Sequence, residues 1–172
     1  LRLSLRVRPA GLLAGITGPR TVHIDIVDYP GEWLLDLALM DKTYSEWSAA
    51  TLATLQRRDI AAPYLADAGT VDTGAPWEEP QIKALADTFT AYLHAARKRG
   101  LSGIAPGRFL LPGDLAGSPA LTFAPIAKPD RPGRRSLWRE MERRFDAYKS
   151  QVVAPFFRDH FSRIDRQIVL VD

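Results

Sequence analysis

Apolar and polar residues alternate without a break over the first eight positions of the chain. Apolar side chains stand at the odd positions, and serine or arginine stands at each even one. A period of two is typical of a β-strand with one face against a core and the other in water. A second run, Thr21–Val27, is rich in β-branched residues and leads into the turn-forming segment Asp28–Gly31. The first 31 residues are therefore predicted to form a hairpin-like pair of strands ending in a loop.

Helical spacing of apolar residues begins soon afterwards and continues to about residue 165. Thr43 and Glu46 form a Thr-x-x-Glu capping box, which predicts a helix from there to about Arg58. A short helix is predicted over residues 59–68, with a restart at Pro63. The predicted apolar face of the capped helix consists of Trp47, Ala50, Leu52 and Leu55.

A linker rich in glycine and proline, residues 69–80, precedes the most regular apolar stripe in the sequence. Pro80 suits the first turn of a helix, and Gly100 suits the position just past its end. Between them apolar residues recur at three- and four-residue spacing, which is typical of one buried helix face. The stripe consists of Ile82, Leu85, Ala86, Phe89, Tyr92, Leu93 and Ala96.

The stretch 101–128 contains four glycines and four prolines among large apolar residues. The prolines exclude a long regular helix, and the apolar content predicts a loop that is either functional or packed against another part of the protein. A long amphipathic helix is predicted from Leu137 to Val152, and Pro155 is expected to kink or restart it. The last residues, 166–172, contain an uninterrupted apolar run and are predicted to form a buried parallel strand.

Composition narrows the classes of protein to which the chain can belong. Its 172 residues are 46% hydrophobic and can bury a core, but no apolar stretch is long enough for a membrane-spanning helix. The absence of cysteine excludes disulfides, thiolate nucleophiles and cysteine-ligated metals. The net charge is only +3, with the basic excess confined to residues 128–144, so no nucleic-acid partner is expected. Because the chain begins without methionine, inside an alternating pattern, we expect an internal piece of a larger protein.

The segment with the most chemical information is Asp28-Tyr-Pro-Gly31, at the end of the second predicted strand. In P-loop nucleotidases an Asp-x-x-Gly at this place lies beside the terminal phosphate. The aspartate is linked to Mg²⁺, the glycine N–H donates to the γ-phosphate, and the next residue lies beside the attacking water. A plain turn after a strand produces the same pattern, so both interpretations stand.

Two other parts of the nucleotide-binding machinery do not occur in this sequence. Without a Gly-Lys dipeptide there is no Gly-x-x-x-x-Gly-Lys-Ser/Thr phosphate loop, and without asparagine there is no Asn-Lys-x-Asp guanine-reading motif. Either Asp28 belongs to an accidental match, or the missing motifs lie outside these residues.

Three stretches of the sequence, Asp25–Asp36, Pro106–Asp114 and Val153–Asp172, resemble the YcjX-like P-loop NTPases, a bacterial stress-associated family related to GTPases. The resemblance implies an α/β fold class. In that fold the chain is a fragment of a P-loop NTPase sheet, made of the hairpin-like N-terminal strands and a C-terminal strand, with a large, mainly α-helical insertion. A phosphate loop is implied before the chain, and a nucleotide-specificity segment after it.

The resemblance also divides the chain. Residues 1–33 and 166–172 are implied to belong to the nucleotide-binding domain, with its Walker B-like strand, and residues 34–165 to the helical insertion. An ordinary GTPase joins the two strands with a short helix, so an insertion of this length is a marked departure.

By position, Asp28 matches the family's Mg²⁺-linked aspartate, and Gly31 matches the glycine that senses the γ-phosphate. Glu32 falls where many GTPases carry the glutamine that orients water, and a carboxylate there can act as a base. The other interpretation of Glu32 is a solvated or helix-N-terminal glutamate. The resemblance thus implies a metal site at Asp28, cofactor binding at Gly31 and catalysis by Glu32, with Mg²⁺ and GTP or ATP as cofactors.

For function, the resemblance implies a GTPase-like P-loop nucleoside triphosphatase in the complete protein, with the isolated chain inactive. A cytoplasmic location is expected. Peripheral association with the inner membrane and binding to an unidentified protein partner are both left open. The alternative is a nucleotide-gated or nucleotide-independent protein-interaction module without significant hydrolysis.

Two polar features of the sequence have both a functional and a structural interpretation. His23 and Asp25 share one face of the second strand, either as a catalytic dyad or as a structural pair. Arg108 lies in the Gly/Pro-rich loop, either as an arginine finger acting in cis or as a brace for the loop.

Further polar residues lie on the predicted helices. The basic run Arg131–Arg144 contains Trp138, and it is either a solvated helix start or a surface for anionic lipid or an acidic partner. His94 and His160 have no metal-ligating partner four residues away, so no metal site is expected there.

Overall fold

The computed structural model of the chain describes residues 1–8, 18–159 and 161–168. Its first elements are two antiparallel strands, β1 (Arg2–Val7) and β2 (Arg20–Asp25), in a register that pairs Leu3 with Ile24. The predicted hairpin-like pair is therefore confirmed, although β2 ends two residues earlier than expected.

The alternating pattern gives the hairpin one polar and one apolar face. The apolar face was expected to lie against a core, but its side chains remain 36–47% exposed: Leu3, Leu5, Val7, Val22 and Ile24. The reason is that none of the described helices covers this face. The pattern alone fixes which side chains share a face, whereas a partner element decides whether that face is buried.

A 3-10 helix, Gly31–Leu39, leads from the hairpin into α1 (Tyr44–Leu55). The capping box is present as predicted: the Thr43 Oγ1 accepts from the Glu46 N–H at 3.2 Å, and the Thr43 N–H donates to Glu46 Oε2 at 2.9 Å. One residue of the predicted apolar face is wrong, because Ala50 is exposed while Ser48 is buried. The helix also ends three residues before the predicted Arg58.

The next helices are a 3-10 turn, Asp59–Ala61, then α2 (Ala62–Thr70) and α3 (Glu79–Lys98). The restart near Pro63 is confirmed, since Pro63 lies in the first turn of α2. All seven residues of the predicted stripe on α3 are buried. This face packs against α2 and the aromatic residues of the core.

The stretch 101–128 is irregular and packed, as predicted. It contains one turn of helix, α4 (Gly107–Leu110), and two 3-10 turns, Gly113–Leu115 and Pro119–Leu121. Phe109 and Phe123 are buried, and their ring centroids are 4.9 Å apart. These rings extend an aromatic cluster that includes Trp47, Phe89 and Phe145.

The last helices are α5 (Leu137–Tyr148), a π-helical turn (Lys149–Val153) and α6 (Ala154–Asp159), followed by a 3-10 turn, Phe161–Arg163. The π-helical turn ends two residues before Pro155, where a kink or restart was expected, and Pro155 lies in the first turn of α6. The predicted strand 166–172 is wrong for residues 166–168, which form no strand, and residues 169–172 lie outside the described residues. In the described ranges, no helix has the length and apolar content needed to cross a membrane.

Candidate functional site

The Asp28–Gly31 segment is irregular and not a regular turn, and its first two residues, Asp28 and Tyr29, line a cleft with a volume of about 380 Å³. The Asp28 side chain lines this cleft together with those of Trp33, Arg108 and Phe156. Gly31 begins the 3-10 helix and is exposed, and a Cβ atom built on it would meet nothing within 4 Å. The structure thus leaves open space at Gly31 and keeps the Asp28 carboxylate exposed.

Glu32 directly follows Gly31 and forms an ion pair with Arg97 from the last turn of α3. Its side chain is 19% exposed and lies in the first turn of the 3-10 helix, so the structure fits the helix-N-terminal interpretation of Glu32 and does not fit a solvated one. The Glu32 backbone carbonyl faces Gly107 so closely that a Cβ atom on Gly107 would lie 1.7 Å from the oxygen. Only glycine fits at position 107 with this backbone.

A buried carboxylate, Asp36, holds the segment after the turn against the rest of the chain. Its Oδ1 accepts from the Gly107 N–H at 2.7 Å, and its Oδ2 accepts from the Arg108 N–H at 3.2 Å and from the Tyr148 hydroxyl at 2.6 Å. Burial raises the pKa of Asp36 above its ordinary value, while these three hydrogen bonds act in the opposite direction. Asp36 therefore links the 3-10 helix, α4 and α5.

Sequence reasoning did not identify Asp36 as a special residue. The signal was a single acid inside the otherwise apolar stretch from Trp33 to Met40. Acids are rarely buried without hydrogen-bonding partners, so an acid in such a stretch is a candidate for a buried polar junction.

Arg108 is buried, and its guanidinium lies 3.3 Å from the centroid of the Trp33 ring. Its Nη1 lies 3.5 Å from both the Pro112 carbonyl and an Asp114 carboxylate oxygen. The Trp33 indole donates to the Leu111 carbonyl at 2.8 Å. These contacts fit the interpretation of Arg108 as a brace for the loop, and they place its cation in the wall of the cleft.

The two residues of the candidate dyad have separate partners on the polar face of the hairpin. Asp25 accepts from Arg2 at 2.6 and 2.8 Å, and the hydrogen bond from Arg2 lowers the pKa of Asp25. His23 Nδ1 lies 2.9 Å from the Ser4 hydroxyl. This arrangement fits the structural interpretation of both residues.

The candidate metal ligands are not clustered. In the part of the chain that the structure describes, no three His, Cys, Asp or Glu side chains are placed to hold one ion. His94 is exposed on α3, and His160 lies outside the described residues. Asp28, which lines the cleft, is the residue for which the Asp-x-x-Gly pattern predicts a link to a metal ion.

Comparison with known proteins gives matches over the whole chain. The sequence matches the YcjX-like family, DUF463, over residues 1–172. It is 40% identical over 186 aligned residues to the Ras-like GTPase YcjX of Escherichia coli K12, and 36% identical over 185 residues to the Ras-like GTPase YcjX of Shewanella oneidensis MR-1. The chain spans 39% and 38% of the length of these two relatives. The resemblance seen in the sequence is thereby confirmed, and the chain belongs to the YcjX-like family.

Proposed function

We propose that this chain is the phosphate-sensing segment and helical insertion of a GTPase-like P-loop NTPase. The observation that carries the proposal is the position of Asp28-x-x-Gly31, which follows a strand with an exposed apolar face and places Asp28 in the lining of a cleft. The name Ras-like GTPase, given to two relatives, supports the same activity. The residues of the phosphate loop would come from the part of the full-length protein that this chain does not include.

The residues at the turn fit a magnesium–triphosphate group. An exposed carboxylate is a hard oxygen ligand of the kind that Mg²⁺ takes, and the open space at Gly31 admits a phosphate close to the backbone. Bound Mg²⁺ would neutralise negative charge on the phosphate oxygens. Asp28 would hold the magnesium shell, and the Gly31 N–H would donate to the γ-phosphate. Either GTP or ATP meets these requirements.

Glu32 would orient the attacking water in this proposal, since it follows Gly31 directly. Its carboxylate would have to turn from Arg97 toward the phosphate, or accept from water with its second oxygen while the ion pair stays. Two anionic groups, a γ-phosphate and Glu32, repel each other, and Arg97 would reduce that repulsion.

The hairpin would be part of a larger sheet. The exposed apolar side chains of β1 and β2 form a face of the kind that sheets bury against helices. We propose that other residues of the full-length protein cover it, with residues 1–33 and 166–172 in the nucleotide-binding domain and 34–165 as the insertion. The resemblance to the family also leads us to propose a cytoplasmic location and a stress-related role.

One observation favours the second candidate, a nucleotide-gated interaction module without significant hydrolysis. Arg97 already engages one oxygen of the Glu32 carboxylate, so only the second oxygen can accept from water while the ion pair stays. In that case nucleotide would change the shape of the insertion, and the Glu32–Arg97 pair would be structural.

Three variants of the full-length protein separate these functions. Asp28→Ala is expected to weaken binding of Mg²⁺-nucleotide, measured by calorimetry. Glu32→Ala is expected to lower kcat by about a hundredfold with little change in affinity, because it removes the side chain that orients the attacking water and can act as its base. Arg97→Ala is the matched control, since it breaks the same ion pair and leaves the carboxylate in place.

The pattern of the three results is decisive. A slow Glu32→Ala with a near-normal Arg97→Ala supports a role of Glu32 on the attacking water. Equal effects of these two variants would make the pair structural and favour the second candidate. Unchanged nucleotide affinity in Asp28→Ala would contradict the proposed site.

A further inference from the structure

A strongly basic loop, residues 128–135, connects the packed loop region to α5. Within eight residues it carries four exposed cations, Lys128, Arg131, Arg134 and Arg135, against one acid, Asp130. Among the described residues, none of these four cations forms an ion pair, whereas the neighbouring Arg139 pairs with an acid on its own helix. The loop therefore presents net positive charge that no described carboxylate neutralises.

An apolar pocket with a volume of about 270 Å³ lies beside this loop. Its walls include Ala49 and Leu52 of α1, Ile126 and the ring of Trp138, which is only 1% exposed. Lys128 also lines the pocket, with its ammonium 5.2 Å from the Trp138 ring centroid. The pocket thus has an apolar floor and a cationic edge.

We infer that the basic loop and this pocket form a docking site for an acidic peptide segment of a partner protein, with one apolar side chain as its anchor. The volume lies just below the range typical of small-molecule sites, which suits a single side chain. Opposite charge on the peptide would speed association and fix its direction, and the buried anchor would slow dissociation. The inference does not depend on nucleotide binding.

The shape of the surface favours a peptide over an anionic membrane. Binding of a helix or loop to a bilayer combines basic residues with large apolar side chains that protrude into the lipid. Between residues 125 and 139, all within the described part, no large hydrophobic side chain is exposed. The apolar surface here is concave, so it receives a side chain and has none to insert.

The probe is a short fluorescein-labelled peptide in which one leucine stands among aspartates and glutamates, titrated with the full-length protein by fluorescence anisotropy. Arg134→Glu with Arg135→Glu is expected to raise Kd about tenfold. The matched control is Lys98→Glu with Arg163→Glu, a double charge reversal at exposed positions that neither line the pocket nor adjoin its lining residues in sequence. It is expected to leave Kd within about twofold of the wild type.

A second pair of variants tests the pocket. Ala49→Phe fills it from an exposed position on α1, and Ala50→Phe adds the same side chain at an exposed neighbour that does not line it. We expect Ala49→Phe alone to raise Kd about fivefold, as should replacing the peptide's leucine with serine.

Three results would overturn the inference. The first is no saturable peptide binding. The second is equal binding of the leucine and serine peptides, which would leave only unspecific charge attraction. The third is binding to phosphatidylglycerol vesicles without binding to the peptide. If Arg134→Glu with Arg135→Glu abolished that vesicle binding, the basic loop would be a membrane surface.

Discussion

The buried carboxylate of Asp36 is expected to hold three segments together, and Asp36→Ala tests this directly. The change removes the acceptor of three hydrogen bonds, from the N–H groups of Gly107 and Arg108 and from the Tyr148 hydroxyl. Each bond is worth about 1 kcal/mol net, so the free energy of unfolding should fall by about 3 kcal/mol. Relief from burying the charge offsets part of this loss, since burial already raises the pKa of Asp36.

The assay is urea denaturation of the full-length protein, followed by tryptophan fluorescence, with amide hydrogen exchange as a local measurement. Exchange should become faster at Gly107 and Arg108, whose N–H groups lose their acceptor. Tyr148→Phe removes one of the three bonds and should cost about 1 kcal/mol. Because Asp36→Ala already removes that bond, the double variant should lose about as much unfolding free energy as Asp36→Ala alone. The coupling energy between Asp36 and Tyr148 should therefore be about 1 kcal/mol.

Asp41→Ala is the matched control, because Asp41 is an exposed acid a few residues further along the chain. It is expected to change the unfolding free energy by less than about 0.5 kcal/mol. If Asp36→Ala were no more destabilising than Asp41→Ala, or if its effect simply added to that of Tyr148→Phe, the junction would not exist as described.

Four further predictions concern the same helical body and its proposed nucleotide response. Gly107→Ala should lower the melting temperature sharply, because its Cβ would collide with a backbone carbonyl. Gly69→Ala on α2, where a Cβ would meet no atom, should be neutral or stabilising by about 0.5–1 kcal/mol. Equal melting temperatures of these two variants would refute the close contact at Gly107. The hydrogen bond from Arg144 lowers the pKa of Glu79 in the folded protein. This carboxylate therefore stabilises the fold fully when the pH is above its ordinary pKa of 4.5, and that stabilisation is lost as the pH falls through the lowered pKa. The difference in melting temperature between wild type and Glu79→Gln should therefore shrink on acidification below about pH 4, and a difference independent of pH would contradict this. Residues 1–172 alone should bind GTP and ATP poorly, because backbone amides of a phosphate loop supply most phosphate affinity, and micromolar binding in calorimetry would contradict it. In the full-length protein, a nucleoside triphosphate but not a diphosphate should slow hydrogen exchange in the 3-10 helix after β2 and in the loop around α4. A change confined to the Asp-x-x-Gly segment would mean that the insertion is a passive scaffold.

The contact between Glu32 and Gly107 is the structural reason to expect that last response. Any movement of the Gly31 backbone toward a phosphate is transmitted to a carbonyl that touches α4, and the bonds of Asp36 couple the same segment to α5. Close-packed contacts of this kind pass on displacements because the neighbours have no free volume in which to absorb them.

The sequence by itself determined the features that depend on neighbours a few residues apart. The Thr43–Glu46 capping box and the buried stripe of α3 follow from bonds and side-chain spacing within one helix. The hairpin follows from alternation along β1 and β2. The family resemblance also came from the sequence, on the three stretches that carry it.

Tertiary structure decided the partners of the polar residues. Asp36 meets Gly107 and Tyr148 across 71 and 112 positions of sequence, and no local pattern encodes which distant donor will reach a buried carboxylate. The same holds for Glu32, whose ion pair with Arg97 on α3 no local pattern indicated. Periodicity tells which side of an element is apolar, but the packing of elements against each other decides which polar groups are buried together and must satisfy one another.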